Sequence, residues 1–307
     1  MKKILCLCLV FMLMSSVALA TEPEVSTPAG GLDLSDLSFM EDASDDELMD
    51  LRDLIDEELK SRKKDSMDAD DVEATRDNPA PIGSTVIYKD TSYSSPGEYI
   101  IRVECVATGD TSSAIAKSFA RYNTRQLKKG QQWVLVQLYL EALSSEVEKV
   151  DLSSYNFKLV SQDGVEYERG YLSDNPAEVK ALYVGSKQYA WVGAIVEAGD
   201  TPALTYKSSA TEDDTAWFSL AERIPFTGDE LSAATLDKNS TSDDVIFLQR
   251  ELVTLGYYKF NPNGEYDKNM TSAVKSFQKA NSLKQSGNAD EATIACLFSG
   301  EAIKSGK

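Results

Sequence analysis

The sequence predicts an antiparallel β-sandwich followed by a small three-helix domain, with an acidic N-terminal segment that holds one amphipathic helix. Three observations carry this expectation. Between residues 84 and 222, short apolar runs alternate with period two and are separated by turn residues, and no long helical pattern interrupts them. From residue 245 to 298 the apolar spacing changes to three and four, in three short stretches joined by turns. Residues 21–78 carry 20 acidic against 6 basic side chains, so most of the net charge of −19 precedes both folded parts.

The N-terminal elements come first. Lys2 and Lys3 precede an apolar run from Ile4 to Met14, and Ala18-Leu19-Ala20 gives a small-residue exit. This is the pattern of a secretory signal over residues 1–20, and its apolar run is too short for a membrane span. Cys6 and Cys8 lie early in that run rather than at its end, which argues against a lipidated leader. Residues 21–43 are rich in Ser, Thr, Pro, Gly and acid and are expected to be disordered. Ser44-Asp45-Asp46-Glu47 then reads as a capping box. Leu48, Leu51, Leu54, Ile55 and Leu59 follow at helical spacing, and Arg62-Lys63-Lys64 suits a helix C-terminus. A helix is therefore predicted over about residues 45–63. It could recruit a protein partner, or it could pack on the next domain or act as a spacer. Residues 65–82, rich in acid, Asn, Pro and Gly, read as a linker, and the acidic segment as a whole, residues 21–82, is expected to be largely disordered around that helix.

The sandwich is predicted over residues 83–224. Tyr99, Ile101, Val103 and Cys105 share one face of a strand by alternation. Residues 132–140 (QWVLVQLYL) are apolar on both faces, as at the centre of a sandwich. Residues 157–160 lead to Asp163-Gly164 and then to Val165 and Tyr167, a two-residue hairpin signal in which both turn positions need positive φ. Further strands are predicted at 189–197, 203–207 and 215–220, with a short helix or irregular crossing at 111–121. Six or more short strands without intervening long helices give the sandwich.

A polar linker is predicted over residues 225–242 and the three-helix domain over residues 243–300. In the first helix Val245, Leu248, Leu252 and Leu255 make one apolar stripe, with Ser242 or Asp243 placed to cap it and Gly256 to end it. Asn263-Gly264 makes a turn. The second helix presents Ala273, Val274, Phe277 and Ala280 on one face. Gly287 makes the next turn, Asp290 caps the third helix, and Thr293, Ile294 and Leu297 face inward. The two cysteines of the mature chain, Cys105 and Cys296, fall in different domains, so no intradomain disulfide is possible. A bridge between them would require close docking of the two domains, which is not expected. Cys105 reads as a small buried hydrophobe.

Two resemblances add to this reading. Val245 to Gln249, Leu255 to Tyr258, Gly264 to Asp267, Ala273 to Gln278 and Gly287 to Thr293 stand in order at the spacing of the three-helix peptidoglycan-binding domain family, which this region closely resembles. One departure is Met270, where the family usually has Thr at the start of the second helix. Residues 127–143, 153–167 and 189–197 resemble the immunoglobulin-like accessory domains, of telokin-like topology, of secreted Gram-positive proteins. That likeness implies an Ig-like sandwich and little mechanism. The first resemblance implies retention on the cell wall. Gln249 and Gln278 are expected to tie loops to backbone rather than touch ligand. The candidates for peptidoglycan contact are Tyr257, Tyr258, Tyr266 and Asp267, polar or aromatic residues near loops, since aromatic rings stack on sugar faces. For the tyrosines, closure of the small core is an equal alternative.

Composition excludes several function classes. The chain has no histidine, which removes Ser-His-Asp and Cys-His catalysis and the histidine-ligated zinc sites of wall hydrolases. No phosphate loop or dinucleotide fingerprint occurs, and no cofactor or metal is expected. No region has the basic excess that nucleic acid requires. The sequence thus points to a secreted, non-catalytic, cell-wall-associated protein that displays its sandwich as a binding or spacer domain. Two alternatives belong to other classes. One is a cell-wall hydrolase using paired carboxylates. The other is an adhesin or envelope-assembly factor that recruits a protein through the helix at 45–63.

Overall fold

Alternation of buried and exposed side chains sets the strands of this chain, and the computed structural model describes residues 74–91, 96–119, 126–150, 152–168, 178–208, 215–226, 228 and 230–306. The signal at 1–20, the disordered stretch at 21–43 and the helix at 45–63 lie outside the described residues. One sheet has the order β1-β10-β9-β6, from β1 (Ala80–Ile82), β10 (Ala216–Arg223), β9 (Ala203–Tyr206) and β6 (Phe157–Val160). The facing sheet has the order β2-β3-β4-β8, from β2 (Val86–Asp90), β3 (Gly97–Thr108), β4 (Gln131–Ser145) and β8 (Lys187–Glu197). A two-stranded ribbon, β5 (Lys149–Val150) with β7 (Leu182–Tyr183), lies between them in sequence. The pairing is antiparallel except for β1 with β10, which run parallel.

The first sheet buries Phe157, Leu159, Leu204, Tyr206, Ala216 and Phe218 against Tyr99, Ile101, Val103, Val134, Val136, Leu138 and Leu140 of the second. Apolar area removed from water on both inner faces holds the sandwich together. The Asp163-Gly164 turn is present but is not the predicted two-residue type. Gly164 alone has positive φ (82°), and Ser161 N–H donates to Val165 O at 2.9 Å, which makes a three-residue loop with the glycine in the left-handed position. The returning strand is reduced to one bridge, Val160 with Glu166.

The second sheet is covered on both faces, which explains its doubly apolar central strand. Trp133 and Leu135 of β4, and Trp191 and Ile195 of β8, point away from the sandwich core into a second one. That second core contains Ile115, Ala116 and Phe119 of α1 (Gly109–Phe119) together with Leu248, Leu252, Val253 and Tyr258 of the C-terminal region. The helices there are α2 (Ser242–Thr254), α3 (Lys268–Ala280) and α4 (Glu291–Phe298). The described residues thus form three layers of one compact unit, Asp70–Lys307. Close docking of helices on the sheet was not expected from sequence.

A β-bulge organises this junction. Val103 pairs with Leu138 but Cys105 pairs with Gln137, so Glu104 is an extra residue in β3. The bulge breaks the predicted alternation: Tyr99, Ile101 and Val103 face the sandwich core, whereas Cys105 faces the helices. It also brings the Glu104 carboxylate to α2. Arg250 Nη1 lies 2.7 Å from Glu104 Oε2, and Arg102 Nη2 lies 2.8 Å from Oε1. Arg250 Nε donates to Gln137 Oε1 at 3.0 Å, and its guanidinium sits 4.5 Å from the Tyr189 ring centre. Cys105 and Cys296 are both free thiols. Burial pushes the Cys105 thiol well above the ordinary range, which leaves it inert.

The segment read as a linker over 225–242 runs along the helices. Phe226 stacks on Phe298 at 4.1 Å between ring centres. Ser232 N–H and Oγ both bond the Asp244 carboxylate, at 2.9 and 2.5 Å. Leu236 is fully buried and exchanges both backbone bonds with Ala289, at 2.8 and 2.9 Å.

Three outcomes test this junction. Arg250→Ala leaves Glu104 and Gln137 desolvated and short of a partner, with an expected loss of about 3–5 kcal/mol in denaturant unfolding. Glu104→Gln combined with Arg250→Met is expected to lose less than Arg250→Ala alone, because the charge that then lacks its carboxylate, Arg102, is partly exposed rather than buried. Sheet and helices are expected to unfold in one transition, seen at the same midpoint by tryptophan fluorescence and by far-ultraviolet circular dichroism.

Candidate functional site

Two buried glutamines build the helical module. Gln249, on α2 and fully buried, accepts at Oε1 from Asn263 N–H (2.8 Å) and Gly264 N–H (3.0 Å). Its Nε2 donates to Tyr258 Oη (3.1 Å), Asn263 Oδ1 (3.0 Å) and Glu265 O (3.0 Å). The whole α2–α3 loop is therefore hung from one amide. Gln278, on α3 and equally buried, does the same for the α3–α4 turn. It accepts from Gly287 N–H (3.0 Å) and donates to Asn288 O (2.8 Å), Ser286 Oγ (3.1 Å) and Thr293 Oγ1 (3.0 Å). An amide carries both donors and an acceptor, so it can satisfy the opposed backbone groups of a loop where a carboxylate or ammonium could not. Both glutamines have the loop-tying role expected of them.

The helix ends follow the sequence with two corrections. The N-cap of α2 is Thr241, without a side-chain cap bond, rather than Ser242 or Asp243, which lie inside the first helical turn. Ala280 is exposed at the end of α3 rather than on its buried face. Gly256 (φ 87°) ends α2 in a Schellman motif: Tyr257 N–H bonds Leu252 O at 2.8 Å and Gly256 N–H bonds Val253 O at 3.0 Å. Met270 is fully buried and leaves the start of α3 intact, since Asp267 caps it. Asp290 caps α4 by accepting from Thr293 N–H at 3.0 Å, and Thr293, Ile294 and Leu297 are buried as predicted.

The four candidate contact residues all have work inside the module. Tyr258 is 2 % exposed, so its ring belongs to the core, and burial together with the nearby Asp267 and Glu265 carboxylates pushes its hydroxyl up to about 12. Tyr266 is half-buried and its hydroxyl donates to Gly287 O at 2.9 Å, which ties the two glutamine-held loops together. Asp267 receives Asn269 N–H and Met270 N–H, both at 2.9 Å, as the cap of α3. Tyr257 is half-buried, its ring edge-on to Phe277 at 5.4 Å and its hydroxyl donating to Ile303 O at 2.7 Å. Tyr258, Tyr266 and Asp267 thus gather around the α2–α3 loop, while Tyr257 fastens the C-terminal segment.

Sequence reasoning missed what surrounds this loop. Trp191 Nε1 on β8 donates to Asn261 Oδ1 at 2.8 Å, and Thr111 Oγ1 on α1 donates to Gly256 O at 3.2 Å. Phe260 in the same loop is 48 % exposed. A pocket of about 390 Å³ lies where β10, α2 and α4 meet. It is lined by Arg223, Phe226, Glu251, Phe298 and Lys304, with Arg223 ion-paired to Glu251 and lying over the Phe247 and Phe298 rings. Burial raises the Glu251 carboxyl above its ordinary range, against the pull of Arg223. The spacing of α2 gave its apolar stripe, but the second buried face made of Arg250, Glu251 and Val253 has no apolar signature.

Two outcomes check this architecture. Gln278→Ala strands the buried Gly287 N–H, with about 1–3 kcal/mol lost in chemical denaturation, and Gln249→Leu, which frees the less buried N–H groups of Asn263 and Gly264, is expected to lose less per group. Thr293's hydrogen bonds hold the Asp290 carboxyl below its ordinary range. A depressed folded value means that this stabilisation is present above the unfolded carboxylate value, about 3.9, and is lost as pH falls through the folded one. Asp290→Asn, still a good cap, is expected to remove that part of the acid limb when unfolding is followed against pH.

Residues 241–297 match the family model described as "Putative peptidoglycan binding domain". No curated protein matches the sequence. Among solved structures, the chain is similar to the secreted protein MPT63 of Mycobacterium tuberculosis, at 10 % identity and TM-score 0.33, over 46 % of this chain and 95 % of that one. It is also similar to the yjhA protein of Bacillus subtilis, at 13 % identity and TM-score 0.33, over 46 % of this chain and 98 % of that one. The helical module at residues 241–297 is a peptidoglycan-binding domain.

Proposed function

We propose that this protein is a secreted, non-catalytic component of the bacterial cell wall, held on peptidoglycan by its helical module and displaying the β-sandwich from it. The observation that carries the reading is the match of residues 241–297 to the peptidoglycan-binding family. The glutamine-held loops support it, because they fix a surface between α2, α3 and α4 without relying on long regular elements. A pre-organised loop surface loses little entropy on binding. Contact with the wall runs through the half-buried Tyr257 and Tyr266, with Asp267 holding the start of α3 and Tyr258 supporting the loop from beneath. Among the described residues no helix is long and apolar enough to cross a membrane, and no cluster of His, Cys, Asp and Glu is arranged to hold a metal.

The shared core decides how this must be tested. Removing the helices would expose Trp133, Leu135 and Trp191 of the sheet, so truncation would confuse misfolding with lost binding. The full mature chain is expected to sediment with insoluble peptidoglycan while turbidity stays constant. Tyr257→Ala is expected to reduce the sedimented fraction several-fold, whereas Tyr258→Phe, which removes one buried hydroxyl, leaves it within about twofold. Failure of the intact chain to sediment would overturn the wall-binding reading, and falling turbidity would overturn the non-catalytic one.

A further inference from the structure

The outer face of the first sheet carries a second constellation, distant in sequence from the helical module. Lys158 pairs with Thr205 across β6 and β9, and Thr205 pairs with Trp217 across β9 and β10, so the three form one row. Their neighbours Phe157, Leu204 and Phe218 point the other way into the core, so the row faces outward. Lys207, two residues beyond Thr205, continues the same face. Arg76 lies over Trp217, its Cζ 5.5 Å from the ring centre. Tyr155, on the 3₁₀ turn Ser154–Asn156 before β6, is 67 % exposed. A cleft of about 430 Å³ opens among these side chains, within the range of about 300–1,000 Å³ typical of small-ligand sites.

The bland account of outward lysines is protection of a sheet edge against pairing with other chains. That account suits Lys158, because β6 is an edge strand. It does not explain Lys207, which follows the inner strand β9, or a half-exposed tryptophan on the inner strand β10. Charge points the same way. In a chain of net charge −19, three cations converge on one cleft, and among the described residues that line it the single carboxylate is Glu166. Glu166 lies 3.9 Å from Lys158. Convergent like charges repel one another unless an anion sits between them. An aromatic ring beside cations suits a sugar whose apolar face stacks on the ring and whose acidic group meets the cations.

We propose that this cleft binds an anionic saccharide, a sugar bearing a carboxylate or a phosphate. Trp217 and Tyr155 lie against the sugar ring, and Arg76, Lys158 and Lys207 take its charge. The site stands on the sandwich alone and does not depend on how the helical module binds the wall.

The test is calorimetric titration of the full mature chain with tri-galacturonate, with a neutral trisaccharide of the same length, and with glucose 6-phosphate. Saturable binding of at least one of the two charged saccharides is expected, with no binding of the neutral one. Which charged saccharide binds distinguishes carboxylate from phosphate. Affinity is expected to fall as salt rises from about 50 to about 500 mM. The double variant Lys158→Gln, Lys207→Gln is expected to weaken binding roughly tenfold, and Trp217→Leu by at least as much. Trp133 and Trp191 are both 2 % exposed, so a ligand-dependent change in tryptophan fluorescence reports on Trp217. Equal binding of the neutral trisaccharide, unchanged affinity in the double variant, or no response to either charged saccharide up to about 10 mM would overturn the proposal. Sedimentation of the same variants with peptidoglycan shows that the chain remains folded and keeps the two claims separate.

Discussion

The arrangement of this protein depends on one desolvated charge pair, Glu104 with Arg250. Both side chains are almost wholly removed from water, which is unfavourable unless every polar edge is met. Here the edges are met. One carboxylate oxygen takes Arg102 and the other takes Arg250, while Gln137 accepts from Arg250 Nε and the Tyr189 ring covers the guanidinium face. The pair joins a strand to a helix 146 positions later in sequence. It exists because a single inserted residue in β3 brings Glu104 out of the ladder. The same insertion turns Cys105 toward the helices, so the bulge sets both the polar and the apolar halves of the junction.

Much of the fold was legible from sequence, and the failures have physical causes. The strands at 97–108, 131–145 and 187–197 show strong alternation or continuous apolar runs, and the sandwich follows from them. Residues 132–140 read as doubly apolar, but a sequence does not say what covers the second face. The bulge at Glu104 was invisible, because one extra residue leaves no compositional mark. Likewise, Arg250 and Glu251 look like an ordinary solvated helix face, and only their partners on β3 and β10 make them interior residues. The Asp163-Gly164 pair gave the turn but not its type, since Ser161 and Val165 close a loop one residue longer.

The candidate site was legible to a different degree. Gln249 and Gln278 were assigned to loop support by residue type and position, and each proves to satisfy two or more backbone groups. The tyrosines were ambiguous because the same side chain serves as a stacking ring and as a core filler with one hydroxyl to satisfy. Tyr258 resolves toward the core by burial, whereas Tyr257 and Tyr266 keep part of their surface and use their hydroxyls to fasten backbone. The outward row of Lys158, Thr205 and Trp217 was not singled out, since strand register is needed to bring the three together.

The segment from 225 to 242 has a mechanical consequence. A free tether of this length would let a wall-held module swivel, and the sandwich would sample many orientations. With Phe226 stacked on Phe298, Ser232 fastened to Asp244 and Leu236 paired with Ala289, that slack is taken up. The helices and the sheet they cover then share one apolar core and the Glu104–Arg250 pair, so neither can turn without the other. The sandwich then stands at a set angle to whatever surface holds the helices, as a rigid bracket rather than a flag on a string.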